Sequence, residues 1–242
     1  MMKRPPLVIA FVSVAILAGA APAPSPTAPA SAVAKTDVTV EDVLVRFNEA
    51  QSSIETLQAS FVERKEISLL KEPVVQRGTF YHARPQLYLW DYRAPKPKQV
   101  LLTSELLLAY YPDINRAEEV NVRRWTKKIR RYLQVGSDLD ELRQDYDISL
   151  GTPEVNDLAG THLLILVPRA RKLKRRLDDI QIWIDRETGL TRRVAYQETK
   201  GDRTVFTFDD IRVNREIKPD RFEIDLPKNV QMGSTFSGFA SR

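Results

Sequence analysis

Apolar positions along this chain change their period near residue 57. Upstream of it, apolar residues recur at helical spacing between Val40 and Leu57 and form one stripe. Thr39 and Asp42 have the spacing of a capping box at the start of this stripe. The pattern therefore predicts a helix over residues 39–58, and such a stripe is typical of a face that packs on a core.

Beyond this helix, short runs of aromatic and β-branched residues predict strands. The predicted strands cover residues 57–68, 74–82, 86–92, 99–103, 106–111, 116–122, 147–151, 161–168, 179–185, 191–199, 203–213 and 222–226. Strands this close in sequence imply antiparallel pairing. Two short helices are predicted between them, over residues 123–133 and 137–146, and are too short to hold a domain by themselves.

This order of elements predicts a mainly β (α+β) protein built on one large, strongly curved antiparallel sheet with an N-terminal helix. One long helix cannot cover a sheet of about ten strands, so the sheet must curl on itself or leave part of its apolar face unfilled. An unfilled apolar hollow is a ligand site by default.

Alternation along the predicted strands suggests which side chains line that hollow. The residues assigned to it are Phe61, Phe80, Leu89, Trp90, Ile182 and Ile184. The register of each strand decides this assignment, because a slip of one residue moves a side chain to the other face.

The hairpin over residues 78–92 carries one cation at its corner. Pro85 has no amide donor and favours an extended or turn conformation for Arg84, so the chain turns at this dipeptide. An arginine beside a proline is most often a solvated corner residue. The alternative is that the planar guanidinium of Arg84 donates several hydrogen bonds to carbonyls of a facing helix or loop.

The first residues predict export from the cytoplasm. Lys3 and Arg4 precede the apolar run 7–18 and the small residues 18–20, which together are typical of a cleaved signal peptide over residues 1–20. An uncleaved anchor is the alternative, although the apolar run is short for a membrane span. Residues 21–36 alternate Ala, Pro, Ser and Thr and read as a linker.

The remainder predicts a single domain over residues 37–231 and a flexible tail over 232–242. The chain contains no cysteine, which excludes disulfides, thiolate-bound metals and lipid attachment at a cysteine. A bacterial periplasm is the simplest location for such a product.

Candidate catalytic chemistry is missing from the sequence. His82 and His162 are the only histidines, and each lies in a strand-like run without a nearby nucleophile or carboxylate motif. No metalloprotease, serine hydrolase, P-loop or dinucleotide fingerprint is present. The sequence therefore predicts a protein that is not an enzyme and that needs no cofactor or metal.

Basic residues are clustered in two segments, 123–131 and 169–176, in a chain whose net charge is +5. Each cluster is either a solvated face or a surface for an acidic partner or an anionic membrane. The predicted contact residues in the second cluster are Arg171, Lys172, Lys174 and Arg175. Binding to nucleic acid is disfavoured, because export takes the chain away from nucleic acid.

Several blocks carry a family resemblance over residues 40–231. They are Phe61 and the segments 78–80, 84–90, 100–112, 163–169, 180–189, 201–213 and 222–227. They include an Arg-Pro dipeptide before an aromatic strand that ends in Trp90, and a Phe-x-x-x-x-Pro pattern near the end. In this order the blocks resemble the LolA family of periplasmic carriers, which move lipoproteins from the inner to the outer membrane.

The resemblance implies an incomplete antiparallel β-barrel whose α-helical lid covers bound acyl chains. It also implies a monomer, with acylated lipoproteins as cargo, an inner-membrane ABC-type release complex as donor, and an outer-membrane receptor or the membrane itself as acceptor. Arg84 matches the family's arginine that hydrogen-bonds the lid in the closed state, and Pro85 holds the corner.

Two departures from the family keep other functions open. Residues 102–106 lack the family's Ser-Asp-Gly turn, and residues 123–131 are more basic than the resemblance implies. A carrier of another lipid or hydrophobic molecule on the same fold is therefore one alternative. A periplasmic regulatory domain that senses lipoproteins or misfolded proteins is another.

Overall fold

The computed structural model describes residues 38–122, 139–152 and 157–233. The predicted signal peptide, the linker over 21–36, the basic segment 123–131 and most of the predicted tail lie outside these ranges. No helix in the described ranges has both the length and the apolar character needed to cross a bilayer.

Strands dominate the described residues. The helices are α1 (Val40–Ser52), α2 (Leu139–Asp145) and the single turn α3 (Arg171–Lys174), with 3-10 turns at Pro112–Ile114 and Pro219–Phe222. The first strands are β1 (Thr56–Glu66), β2 (Val74–Ala83), β3 (Leu87–Ala94), β4 (Lys98–Leu102), β5 (Leu106–Tyr111) and β6 (Arg116–Asn121). The remaining strands are β7 (Tyr146–Gly151), β8 (Thr161–Pro168), β9 (Leu177–Asp185), β10 (Thr191–Glu198), β11 (Arg203–Val213) and β12 (Gln231–Gly233).

All of these strands belong to one sheet with the order β12-β6-β5-β4-β3-β2-β1-β11-β10-β9-β8-β7. Every neighbouring pair is antiparallel except β12 and β6, which are parallel. The edge strands β12 and β7 do not pair with each other, so the curved sheet stays open. The predicted fold class, a mainly β incomplete barrel with a few helices, is confirmed.

One side of the sheet, which we call the inner face, packs against α1. Val43, Leu44 and Phe47 of α1 share one apolar cluster with inward side chains of most strands. The buried strand residues of this cluster include Phe61, Phe80, Trp90, Val100, Leu164, Ile182, Ile184, Val194, Phe206 and Phe208. The apolar stripe of the predicted helix is therefore a packing face, as its spacing indicates.

The helix begins as predicted and ends earlier. Thr39 caps α1, and its side chain and that of Asp42 bond reciprocally to each other's backbone amides. The predicted end at residue 58 is wrong, because α1 ends at Ser52. Ile54 and Leu57 continue the apolar spacing because both are buried in the same core, but they lie in the connection to β1 and in β1 itself.

The opposite side of the sheet, the outer face, is covered over β2 to β6 by the chain after β11, and carries a separate apolar cluster over β8 to β11. Phe222 is buried in a second apolar cluster with Leu101 and Leu108, and residues 217–230 pack against that cluster. The prediction of a strand over residues 222–226 is wrong: the chain leaves a 3-10 turn there and crosses the outer face without joining the sheet. A short strand forms later, at β12, and reaches past the predicted domain end at residue 231.

Candidate functional site

Aromatic side chains fill the centre of the inner face. The ring centroids of Phe61 and Tyr92 are 4.9 Å apart in an edge-to-face arrangement. The centroids of Phe80 and Trp90 lie 5.0 Å apart, and Phe80 also meets Phe208 at 6.2 Å. These rings come from β3, β2, β1 and β11, which are consecutive in the sheet, so alternate residues of each strand meet on one surface.

The structure brings together five of the six side chains assigned to this face from the sequence. Phe61, Phe80, Trp90, Ile182 and Ile184 all belong to the cluster beneath α1. Leu89 does not, because it lies in the outer cluster with Phe222. The physical reason is the strand's period of two: Leu89 and Trp90 are consecutive residues of β3, so their side chains must point to opposite faces.

The inner face is packed, and its central side chains are closed off from solvent in this conformation. Phe80, Ile182 and Ile184 are each 1% exposed, and Phe47 of α1 is fully buried against the same cluster. The expected unfilled hollow is thus occupied by the apolar stripe of α1. A ligand could reach these side chains only after the helix has moved.

Arg84 holds the C-terminal end of α1. Its guanidinium donates hydrogen bonds to the carbonyl of Ile54 and, over 2.6 Å, to the carbonyl of Ser52. The last carbonyls of a helix lack partners within the helix and carry its negative partial charge. The last turn of α1 contains no basic residue of its own, so Arg84 supplies this cation from the β2–β3 corner.

Polar contacts also hold the first turn and the middle of α1. Arg46 donates to the carbonyl of Arg186 in the β9–β10 turn, and Glu41 pairs with Arg143 of α2. These contacts involve exposed side chains, so each stabilises the closed position only modestly. The helix is therefore fixed by apolar packing beneath it and by a small number of polar contacts around its edge.

A buried polar cluster that the sequence analysis missed lies at the β3–β4 end of the inner face. Glu63 is 3% exposed and Lys98 is 8% exposed. Lys98 donates to the side chain of Gln76 over 2.9 Å, and its ammonium stands 3.9 Å from the centre of the Tyr92 ring. Burial raises the pKa of Glu63. The positive charge of Lys98 and a hydrogen bond from Tyr92 act in the opposite direction, but the pKa stays above its usual value.

Two buried polar groups of the inner side have atoms without a hydrogen-bond partner among the described residues. They are the side-chain amide of Gln51 on α1 and one carboxylate oxygen of Glu63. Gln51 lies four residues after Phe47 and three before Ile54, so helical spacing places it on the apolar stripe, and this signal could have predicted its burial. Glu63 lies two residues after Phe61, so its side chain falls on the same face of β1. This spacing is the one signal in the sequence that could have predicted its burial.

The contacts of His82 are structural. His82 is 2% exposed, stacks on Tyr88 with centroids 4.6 Å apart and bonds through Nδ1 to the carbonyl of Leu87. Burial lowers the pKa of His82 to about 4, so its imidazole is neutral at pH 7. In the described parts of the chain, no group of histidine and acidic residues has the arrangement of a metal site.

The second basic cluster lies in the connection between β8 and β9. Leu173 is 3% exposed and anchors the single turn α3, while Arg171, Lys172, Lys174 and Arg175 are exposed around it. Hydrogen bonds join this connection to the β10–β11 turn, which lies at the other end of the strands from the β2–β3 corner that carries Arg84. The predicted contact residues are therefore exposed, and they lie at the opposite end of the sheet from Arg84, which holds the end of α1.

Comparisons with known proteins identify relatives of this arrangement. A family model described as "Outer membrane lipoprotein carrier protein LolA" matches residues 52–225. The outer-membrane lipoprotein carrier protein of Alkalilimnicola ehrlichii is 26% identical over 157 residues, which cover 64% of this chain and 66% of that protein. The corresponding protein of Chromohalobacter salexigens is 23% identical and is covered over 69% of its length. The match thus spans about two thirds of each of these relatives.

A solved structure supports the fold. The crystal structure of an uncharacterized conserved protein from Thermus thermophilus aligns with a TM-score of 0.50 and 10% identity, covering 81% of this chain and 98% of that one. The matched region of the family model takes in the end of α1 and every strand from β1 to β11. The chain therefore belongs to the LolA family.

Proposed function

We propose that this protein is a non-enzymatic periplasmic carrier that shields the acyl chains of lipoproteins and moves them from the inner to the outer membrane. The observation that carries the proposal is an aromatic and aliphatic sheet face on which the apolar stripe of α1 packs, with the end of that helix held by Arg84. The centre of this face offers apolar contacts, which suits the binding of hydrocarbon chains.

The proposed cargo site consists of Phe61, Phe80, Trp90, Ile182 and Ile184 beneath α1. Bound acyl chains would pack on these side chains in place of the apolar stripe of α1, which covers them in the empty protein. Each buried methylene contributes about 0.8 kcal/mol, so several partly buried chains can offset the cost of displacing the helix and ordering the cargo. Because the empty protein has its own stable packing, binding remains moderate and cargo can be released.

The proposed partners follow from this role. Acylated lipoproteins are the cargo, an inner-membrane ABC-type release complex is the donor, and an outer-membrane receptor or the membrane itself is the acceptor. The protein acts as a monomer in the periplasm after a signal peptide over residues 1–20 is removed, with the carrier domain over residues 37–231. Its relatives' description as outer-membrane lipoprotein carrier proteins supports this assignment.

Photocrosslinking from the two faces of β2 tests the proposed site. A benzophenone amino acid in place of Phe80 projects to the inner face, and the same group in place of Tyr81 projects to the outer face. We expect a triacylated peptide to crosslink at position 80 and not at position 81, and the deacylated peptide to crosslink at neither. Equal crosslinking from both positions, or by both peptides, would contradict the proposal.

Native mass spectrometry of the protein purified from its own periplasm identifies the cargo class. A lipoprotein mass is expected for the proposed carrier. A phospholipid or other small lipid mass would favour the lipid carrier on the same fold. A lipid-free complex with a regulatory protein would favour the sensor.

A further inference from the structure

Three turns meet at the end of the sheet opposite the Arg84 corner. The backbone amide of Ser68 in the β1–β2 turn donates to the carboxylate of Asp202 in the β10–β11 turn over 2.9 Å, and its hydroxyl does the same. The Thr199 amide and hydroxyl donate to the carbonyls of Arg176 and Arg175, over 3.2 and 3.1 Å. Residues 67–72, 169–176 and 199–202 therefore form one continuous surface, which we call the basic end.

Two leucines protrude from this surface. Leu69 is 92% exposed and Leu70 is 50% exposed at the tip of the β1–β2 turn. The Leu70 amide donates to the carbonyl of Ile67 over 2.8 Å, so the tip is a hydrogen-bonded turn that presents both side chains outward. Adjacent leucines at a loop tip cost free energy in water, and they would be stabilised by an apolar medium that accepts a protruding shape.

Positive charge lies at the same end of the sheet as these leucines, where one of the cations, Arg169, is paired with Asp147. The basic end contains eight basic residues and two acidic residues, Glu72 and Asp202. Asp202 is already engaged by Ser68. The burial of Leu173 holds the cations of residues 171–176 on an ordered turn, which the β10–β11 turn separates from the leucines. Clustered cations beside protruding apolar side chains suit a surface that is anionic outside and apolar within.

We propose that the basic end docks on an anionic phospholipid bilayer, with Leu69 and Leu70 inserted among the lipids and the cations of residues 169–176 on the headgroups. The two leucines are the exposed tip of a hydrogen-bonded turn, and clustered cations lie at the same end of the sheet. A fluid anionic bilayer accepts both features without a matching pocket, whereas an acidic protein would need a pocket for the leucines. The surface lies at the end of the sheet opposite the Arg84 corner, and its anchor Leu173 packs into the inner cluster, so docking is measured on the cargo-free protein.

Sedimentation of the cargo-free protein with vesicles tests this inference. We expect binding to phosphatidylcholine vesicles that contain about 30% phosphatidylglycerol and little binding to phosphatidylcholine alone. The double variant Leu69→Ser/Leu70→Ser should lower the affinity roughly tenfold. Glutamine at Arg171, Lys172, Lys174 and Arg175 should lower it roughly a hundredfold or more, because each cation contributes about a fivefold factor near an anionic surface.

Matched controls separate this surface from general charge and hydrophobicity. Glutamine at the exposed residues Arg212, Arg215, Lys218 and Lys228 changes the net charge equally at other places in the fold, and Val45→Ser removes an exposed apolar side chain on α1. We expect both controls to bind vesicles like the unchanged protein. Equal losses in the control and test variants would overturn the inference.

A single label tests insertion directly, because the chain has no cysteine. An environment-sensitive fluorophore on Leu69→Cys should brighten and shift to the blue with anionic vesicles, and the same label on Val45→Cys should not change. No sedimentation with anionic vesicles, or sedimentation without a response at position 69, would overturn the proposal. Binding to an acidic protein in place of vesicles would overturn it as well and assign the surface to a protein partner. Failure here would leave crosslinking at the inner face unaffected, so the two proposals can fail separately.

Discussion

Arg84 links a turn of the sheet to the covering helix, which makes it the residue with the most specific predicted effect. Its bond to the carbonyl of Ser52 exists only while the end of α1 lies on the corner, whereas Ile54 belongs to the connection between α1 and β1. A hydrogen bond from a charged donor is worth about 1.5–3 kcal/mol, less where solvent screens it. At an exposed corner the lower part of that range applies, which still changes an open–closed ratio roughly tenfold.

We therefore expect Arg84→Leu to favour the open state, to keep or tighten cargo binding, and to slow transfer to an acceptor. Arg84→Lys should restore transfer only in part, because lysine lacks the planar fork that reaches two carbonyls together. The measurement is a two-step assay that scores loading and transfer separately. If Arg84→Leu loaded and transferred cargo like the unchanged protein, Arg84 would be a solvated corner residue without a role in holding α1.

His82 gives the fold a pH dependence whose sign follows from burial. Its pKa is lowered from 6.5 to about 4, first by burial and also by the charge of Arg84. The unfolded chain therefore binds more protons than the folded one between these two values, so stability falls as the pH drops through that window. The loss between about pH 7 and pH 4.5 should be about 2 kcal/mol.

Urea unfolding at several pH values measures this effect. His82→Asn keeps a side-chain donor for the carbonyl of Leu87 but does not titrate, so its stability should fall less than that of the wild type over the same pH range. The raised pKa of Glu63 acts in the opposite direction in both proteins, because the folded state then holds the proton more strongly. Parallel pH profiles for the two proteins would show that His82 does not carry the effect.

At the scale of elements, the contact between α1 and the β9–β10 turn depends on a glycine. Gly189 has φ +71°, and a β-carbon there would stand 3.0 Å from the Ala50 side chain of α1 and 3.0 Å from the Arg46 carbonyl. Gly160 has φ +74° as well, but a β-carbon there would meet nothing within 4 Å. The two positions share the backbone strain and differ in their contact with the helix.

Gly160→Ala should therefore lower the free energy of unfolding by about 1 kcal/mol through the left-handed backbone alone. Gly189→Ala should cost more, because the added methyl must also push α1 away from the turn. Hydrogen exchange should show faster opening of α1 in Gly189→Ala and an unchanged helix in Gly160→Ala. Equal unfolding free energies and equal exchange would mean that the helix absorbs the methyl without moving.

The element pattern was largely readable because short-range signals specify it. The capping box of Thr39 predicts the start of α1, and the predicted strands over residues 161–168 and 203–213 have the observed bounds of β8 and β11. The sequence predicts the wrong end for α1 and a strand after residue 222 that does not form. In both places, apolar residues stay buried in the same core although the secondary structure changes, so their spacing continues past the end of the element. Phe222 and Ile224 alternate like strand residues, yet they pack on the sheet without joining its hydrogen bonds.

For the whole molecule, the sheet has two apolar faces with different covers. The helix α1 lies on the inner face, and residues 217–230 lie on the outer face. Among the described residues, the inner cover is mainly α1, with Leu142 of α2 in the same cluster, whereas the outer cover is an extended segment anchored by Phe222. We expect the outer cover to serve stability and the inner cover to serve binding.

Phe222→Ala should lower the free energy of unfolding by about 3 kcal/mol, because it removes a buried ring from the outer cluster. Phe222→Leu should cost less than half of that, since it keeps most of the apolar volume. The affinity of the folded protein for a triacylated peptide should stay the same in both variants. A loss of affinity in the still-folded Phe222→Leu protein would show that the two faces are coupled.

The sequence by itself determined most of the elements, the β-rich antiparallel architecture and the position of one cation at a hairpin corner, because periodicity, capping and turn chemistry act over a few residues. Tertiary structure decided the face of Leu89, the acceptors of Arg84 and the burial of Glu63 with Lys98. Each of these depends on pairing between distant segments, such as Leu57 with Val213 in β1 and β11. A shift of one residue in such a pairing moves every side chain of a strand to the other face, and no local pattern specifies which distant strand will be the partner.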